Sequence, residues 1–303
     1  MGNPDIYTVE EDVARELASS RPTLLHMVSG FVDAGSAGEV AGEHLTDRFG
    51  PRRLVTFDID QLLDYRARRP MMTFDSSSWS YYDEPKLAID VLHDAAGKPF
   101  LLMHGDEPDV QWERFAAAVR DLVERFEVPL TVGVNGIPMG VPHTRPLGVT
   151  AHGTRRELVS GHGWTGTIQV PASIGALLEY RLGRWGHDAM GFAVHVPHYL
   201  APSAYPQAAI VALQHLEQAT GLELEPESLE PAANDAQREI ERQVAGSEEI
   251  ASVVAALENQ YDAFSRALGT TNLLGGEMDI PSADELGAEF ERFLAQQPRP
   301  DGV

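Results

Sequence analysis

The chain has 303 residues, no cysteine and a formal net charge of −23. It is long enough for one large domain, or for a domain of about 200 residues with an appendage, and it carries no thiolate for a disulfide, for redox or nucleophilic chemistry, or for a cysteine-type metal site. An apolar content of 43% with 23% charged residues marks a folded globular protein, while the acidic surplus argues against nucleic acid and against an anionic membrane surface as partners. Thr23–Ser29 (TLLHMVS) reads as the first clear strand, and Asp33–Phe49 as a helix that starts near Asp33 or Ser36 and stops at Gly50-Pro51. Strands follow at Arg53–Phe57, Leu87–Leu92 and Pro99–His104. Val110–Phe126 is a helix with Trp112, Phe115, Val119, Leu122 and Val123 on one face. Leu130–Asn135 and Ala189–Val196 are further strands, and Ala172–Trp185 and Pro206–Thr220 are helices, the second ended by Gly221. Strands alternating with helices of these lengths predict a mostly parallel sheet with helices on both faces.

After Gly221 the pattern changes to polar and amphipathic helices: 226–245, then Glu248–Leu268 with Ile250, Val253, Val254, Leu257, Tyr261, Phe264 and Leu268 in a narrow stripe, then Ser282–Ala295 with a Ser282/Glu285 capping box. A glycine-rich loop is expected over Asn272–Ile280. Residues 217–303 hold 19 acids and 5 bases, so this part carries over half of the net charge. The division expected is an α/β domain over 1–221 and an acidic helical extension over 222–303, packed on the α/β body or at a subunit interface. The Glu248 stripe suits either position. No stretch reaches the roughly 18 uninterrupted apolar residues of a membrane span. The Met1–Tyr7 start has no basic segment before an apolar run, so the expected location is the cytoplasm.

Four segments carry candidate chemistry. Gly30–Gly38, between a strand and a helix, has the small residues that let backbone N–H groups approach an anion, with Asp33 and Ser36 as its polar members. It matches neither a P-loop nor a dinucleotide fingerprint, and close helix-on-sheet packing is its plainer role. Arg66, Arg68 and Arg69 cluster before Pro70; guanidinium groups suit carboxylate or phosphate recognition, or they pair with the chain's own acids. Gly136–Pro146, with three prolines, reads as a stiff loop after a strand that presents His143, Thr144 and Arg145. His195 and His198 close another strand. Pro197 interrupts their spacing and there is no H-E-x-x-H, so no metal is expected. A polar network joining them to Arg145 or Asp33 is the favoured reading. Glu107 follows a strand as well, with Asp109 beside it as a helix cap. In a parallel sheet Asp33, Glu107, His143 and His195 converge on the carboxyl edge.

Taken in order, GFVDAGSAG, LLDYRARRP, HGDEPDVQWERF, GIPMGVPHTRP, QVPAS, HVPHYL and the final PSADELGAEFERFL resemble the actinobacterial branch of the proteasome assembly chaperone 2 family. The similarity runs from about Pro22 to Thr220 and again near the C-terminus. It implies a three-layer α/β/α fold with a mixed, mostly parallel sheet, like that of nucleoside phosphorylases and peptidyl hydrolases, and homo-oligomers, with a trimer the expected form. It implies no cofactor and supplies no catalytic residues. The family's chaperones are associated with a C-terminal hydrophobic-Tyr-any tail for docking on the proteasome ring; this chain ends Arg299-Pro300-Asp301-Gly302-Val303, so docking by that route is not expected.

Two functional readings follow. The first is an assembly-chaperone-like interaction module that binds itself, with proteasome subunits or another protein as further partners. The second is an enzyme, a hydrolase or phosphorylase-like transferase, or a binder of a small anionic ligand (nucleoside, phosphate ester or peptide-like). There Arg66, Arg69 and Arg145 would hold the anion, Asp33 or Glu107 would act as base, and His143 or His195 as acid or base, with Ser36, Thr144 and His198 completing the pocket.

Overall fold

The structure, a computed structural model, describes residues 6–17, 20–159 and 167–274. Strand β1 (Tyr7–Val9) and helix α1 (Glu11–Glu16) precede β2 (Thr23–Ser29), a 3-10 turn at Ala34–Ser36 and α2 (Ala37–Phe49). Then come β3 (Arg52–Phe57), the single turn α3 (Ile59–Leu62), a hairpin of β4 (Met72–Asp75) and β5 (Ser78–Tyr82), β6 (Leu87–His93) and β7 (Pro99–Asp106). Helix α4 (Trp112–Arg125), β8 (Thr131–Met139), β9 (Val149–Gly153), α5 (Ile174–Trp185), β10 (Ala189–Pro197) and α6 (Pro206–Thr220) complete the α/β part. Two helices follow, α7 (Glu230–Ala245) and α8 (Glu248–Leu274).

Eight strands form one sheet in the order β1-β3-β6-β7-β2-β8-β10-β9. The central four, β7, β2, β8 and β10, run parallel. The pairs β1–β3, β3–β6, β6–β7 and β9–β10 are antiparallel. The inner strands are covered on both faces, which is why TLLHMVS and PFLLMH read as apolar runs rather than alternating ones. On one face Leu24, Leu101 and Met103 pack with Phe115 and Val119 of α4 and Ile174, Leu178 and Leu182 of α5. On the other, Leu25, Met27, Val132 and Phe192 pack with Leu45 of α2 and Leu213 and Leu216 of α6. Helices on both faces of the sheet are what the alternation of elements predicts, and the mixed three-layer α/β/α form is what the family resemblance implies; two helices follow it.

The departures have local causes. β8 continues through Gly136–Met139, where a loop is predicted: past Gly133 its registered strand partner is β10 and no strand is paired on the β2 side, so Pro138, which has no N–H, interrupts no ladder to β2. The strands β1, β4, β5 and β9 and the turn of α1 are too short to show a period. Asp109 does not cap α4. Its carboxylate instead accepts the Asp64 N–H at 2.8 Å and pairs with Arg68 at 2.9 Å. Helix α8 runs to Leu274, into the segment predicted as a glycine-rich loop; the rest of that loop, the Ser282 helix and the C-terminal tail lie outside the described residues.

Candidate functional site

Because β7, β2, β8 and β10 are parallel neighbours, the segments leaving them sit side by side along one edge. The candidate side chains lace these segments to each other. Glu107, buried after β7, accepts the Phe31 N–H of the β2 segment at 3.1 Å and the Ile174 N–H that opens α5 at 2.5 Å. Asp33, after β2, accepts from the Gly38 and Glu39 N–H groups at the start of α2, each at 3.0 Å, and from Gly136 of β8 at 2.8 Å. The helix N-terminus that could receive an anion is thus already filled by the chain's own carboxylate. Ser36 stands between them with a left-handed backbone, φ 48°, and makes no side-chain capping bond.

His143, after β8, meets Tyr199, after β10: the Tyr199 hydroxyl lies 2.9 Å from the His143 backbone N–H and 2.7 Å from its Nδ1. Burial lowers the pKa of His143 and raises that of Tyr199. Arg145 turns outward to α8, where it holds Asp262 through two bonds of 2.8 Å and Glu258 at 3.4 Å. Thr144 bonds Glu258 and Tyr261 donates to the Pro146 carbonyl at 3.1 Å, so this loop is the seat of α8. His195 lies inside β10 and bonds Thr150 of β9 at 2.8 Å; burial lowers its pKa. His198 packs edge-on against the Tyr199 ring. The candidates therefore fall into separate contacts: Glu107 and Asp33 to backbone amides, His143 to Tyr199, Arg145 to α8, His195 to Thr150. Among the described residues no three histidine or acidic side chains are grouped to hold a metal.

The arginine cluster divides. Arg68 is drawn into the edge, bonded to the Glu107 carbonyl and paired with Asp109 at 2.9 Å. Arg66 and Arg69 are exposed and make no ion pair with another described residue. They stand before the β4–β5 hairpin, which forms a sheet of its own. Met71, Phe74 and Trp79 are 72%, 57% and 64% exposed, and Met72, Tyr81 and Tyr82 are exposed as well. Phe74 and Trp79 touch edge to face with ring centroids 5.1 Å apart.

Sequence reasoning missed two histidines. The strand registers place His26 of β2, Gly133 of β8, Gly191 of β10 and His152 of β9 in one row across the sheet. A Cβ on Gly133 would enter the His26 ring, and one on Gly191 would enter the ring of His152. Glu179 of α5 fixes His152 through Nδ1 at 2.7 Å. The signal was present as one glycine inside each of two strands, a mark of close approach. It needed the register to be read. Burial, with His152 nearby, drops the pKa of His26 to about 4.

The model of the PAC2 family matches residues 27–244. Among solved structures, a Mycobacterium tuberculosis protein of unknown function, Rv2714, is 46% identical and superposes with a TM-score of 0.85 over 90% of this chain and 94% of its own. A protein of unknown function from Corynebacterium glutamicum is 37% identical, with a TM-score of 0.79 over 85% of this chain and 97% of its own. The M. tuberculosis proteasome-assembly chaperone homologue Rv2125 is 24% identical, with a TM-score of 0.70 over 77% of this chain and 99% of its own, a likeness of fold. No curated protein matches the chain significantly.

Proposed function

The chain belongs to the PAC2 family, and from that premise we propose that it is an assembly-chaperone-like interaction module that binds further copies of itself through the β4–β5 hairpin. The observation that carries this reading is the hairpin. A two-stranded ribbon is marginal in water unless something covers it, and this one exposes six large apolar side chains from Met71 to Tyr82. A contiguous patch of that kind marks an interaction surface, and aromatic side chains are the usual anchors of protein interfaces. A second copy suits it well, because the exposed Arg66 and Arg69 beside the hairpin find abundant carboxylates on a chain of net charge −23. The carboxyl edge supports binding over catalysis: Asp33 and Glu107, the candidate bases, are committed to backbone N–H groups that hold neighbouring segments together.

The test is the solution mass of the full chain at tens of micromolar, by light scattering after size exclusion. The expected mass is a multiple of 33.1 kDa, a trimer in the form expected for the family, falling to the single-chain mass when Phe74→Ser and Trp79→Ser are combined. Both residues are exposed, so the fold is retained. A monomeric wild type, or a double variant that still assembles, removes the reading. Co-purification with the same organism's proteasome α-subunits tests the proteasome as partner; recovery no greater than from a control protein excludes that partner and leaves self-association standing.

A further inference from the structure

A cleft of about 440 Å³ lies between the His143 loop and the turn that joins α7 to α8. Val244, Ala251 and Val254 contribute apolar floor, and Glu241 and Glu248 stand among its lining carboxylates. A third, Glu258, is already engaged by Arg145 and Thr144. Glu241 receives one hydrogen bond, from Gln237 at 2.9 Å, and neither it nor Glu248 has an ion pair among the described residues. The arginines of α7 go elsewhere: Arg238 pairs with Asp235 and Arg242 with Glu239.

His143 adds a directional group. Its side chain lines the cleft, yet the residue is only 8% exposed. The Tyr199 hydroxyl oxygen accepts the His143 backbone N–H and contacts Nδ1 at 2.7 Å. The other ring nitrogen, Nε2, has no hydrogen-bond partner among the described residues, and is a donor or an acceptor according to the tautomer. Burial keeps the ring in its neutral form near neutral pH. The cleft thus offers two unpaired carboxylates, one open imidazole nitrogen and an apolar floor.

We propose that this cleft docks a basic peptide segment of a partner protein, with a lysine or arginine head at Glu241 and Glu248, a backbone peptide group on His143 Nε2 and an apolar neighbour against Val254. An acidic or phosphorylated segment would meet uncompensated like charge. A wholly apolar one would leave both carboxylates facing it unpaired. The cleft is formed by residues outside the hairpin, so the proposal stands apart from self-association.

The probe is a fluorescein-labelled hexapeptide of alternating leucine and arginine, titrated with the full chain and read by anisotropy at about 0.15 M salt. Saturable binding is expected, weakened about tenfold or more by Glu241→Gln with Glu248→Gln, and likewise by Ala251→Trp, an exposed position where an indole fills the floor. Exchanging two exposed acids of α2, Glu43→Gln with Asp47→Asn, should change it less than twofold, and a leucine–glutamate hexapeptide should not bind. The Phe74→Ser, Trp79→Ser variant should bind undiminished; loss of binding there would assign the peptide to the hairpin and overturn the proposal. No binding by the wild type, insensitivity to the cleft variants, or equal weakening by the α2 pair, which would mean general attraction to an acidic surface, would each overturn it too.

Discussion

At the scale of single residues, the polar groups buried in this protein are spent on joining segments. Asp33 and Glu107 each accept N–H groups from chain far away in sequence, and leaving such amides unpaired costs about 1–3 kcal/mol apiece. His26 is an exception, a buried imidazole held neutral with a pKa of about 4. Its unfolded value is near 6.5, so below that pH the unfolded chain takes up a proton that the folded chain refuses. Stability must therefore fall as pH drops from about 6.5 to about 4, by up to about 3 kcal/mol from this group. Carboxylates also titrate toward the acid end, so the contribution is read as a difference. Urea unfolding of the wild type and His26→Gln across that window should show the wild type losing more stability on acidification, and parallel curves would refute it.

At the scale of elements, β2, β8, β10 and β9 meet under α5 only because two of them present glycine where the histidine rings lie. Gly133→Ala places a methyl in the His26 ring, and overpacking of that kind costs about 1–3 kcal/mol. The urea midpoint should fall accordingly. In a His26→Ala background the same substitution should cost much less, a coupling that two independent sites would not show. The helices and central strands were legible because each carries a period or a stop: Phe115, Val119 and Leu122 along α4, Gly221 after α6 with φ 63°. The β4–β5 hairpin was not legible. Its pattern serves neither sheet face, since nothing among the described residues buries it.

For the whole molecule, charge sets the terms of association. Each copy brings a net charge of −23, so copies repel at long range, against the attraction that the proposed hairpin contact would supply. Raising salt from about 0.05 to 0.5 M shortens the screening length severalfold. Self-association measured by sedimentation equilibrium should therefore tighten with salt. Weakening instead would mean that Arg66 and Arg69 against carboxylates, rather than the aromatic hairpin, dominate the contact.

The sequence by itself determined the architecture and its polarity: alternating apolar strands and amphipathic helices, an acidic helical part after Gly221, and polar residues placed just beyond the strands. Those features are local, repeating every two or 3.6 residues, so neighbouring positions report them. Partnership is not local. That Asp33 seals the α2 N-terminus, that Arg145 pairs with α8, and that His26 and His152 share a row over two glycines were all decided by strand order and register. Those contacts join residues many positions apart in the chain, and only the packed sheet brings them within hydrogen-bonding reach.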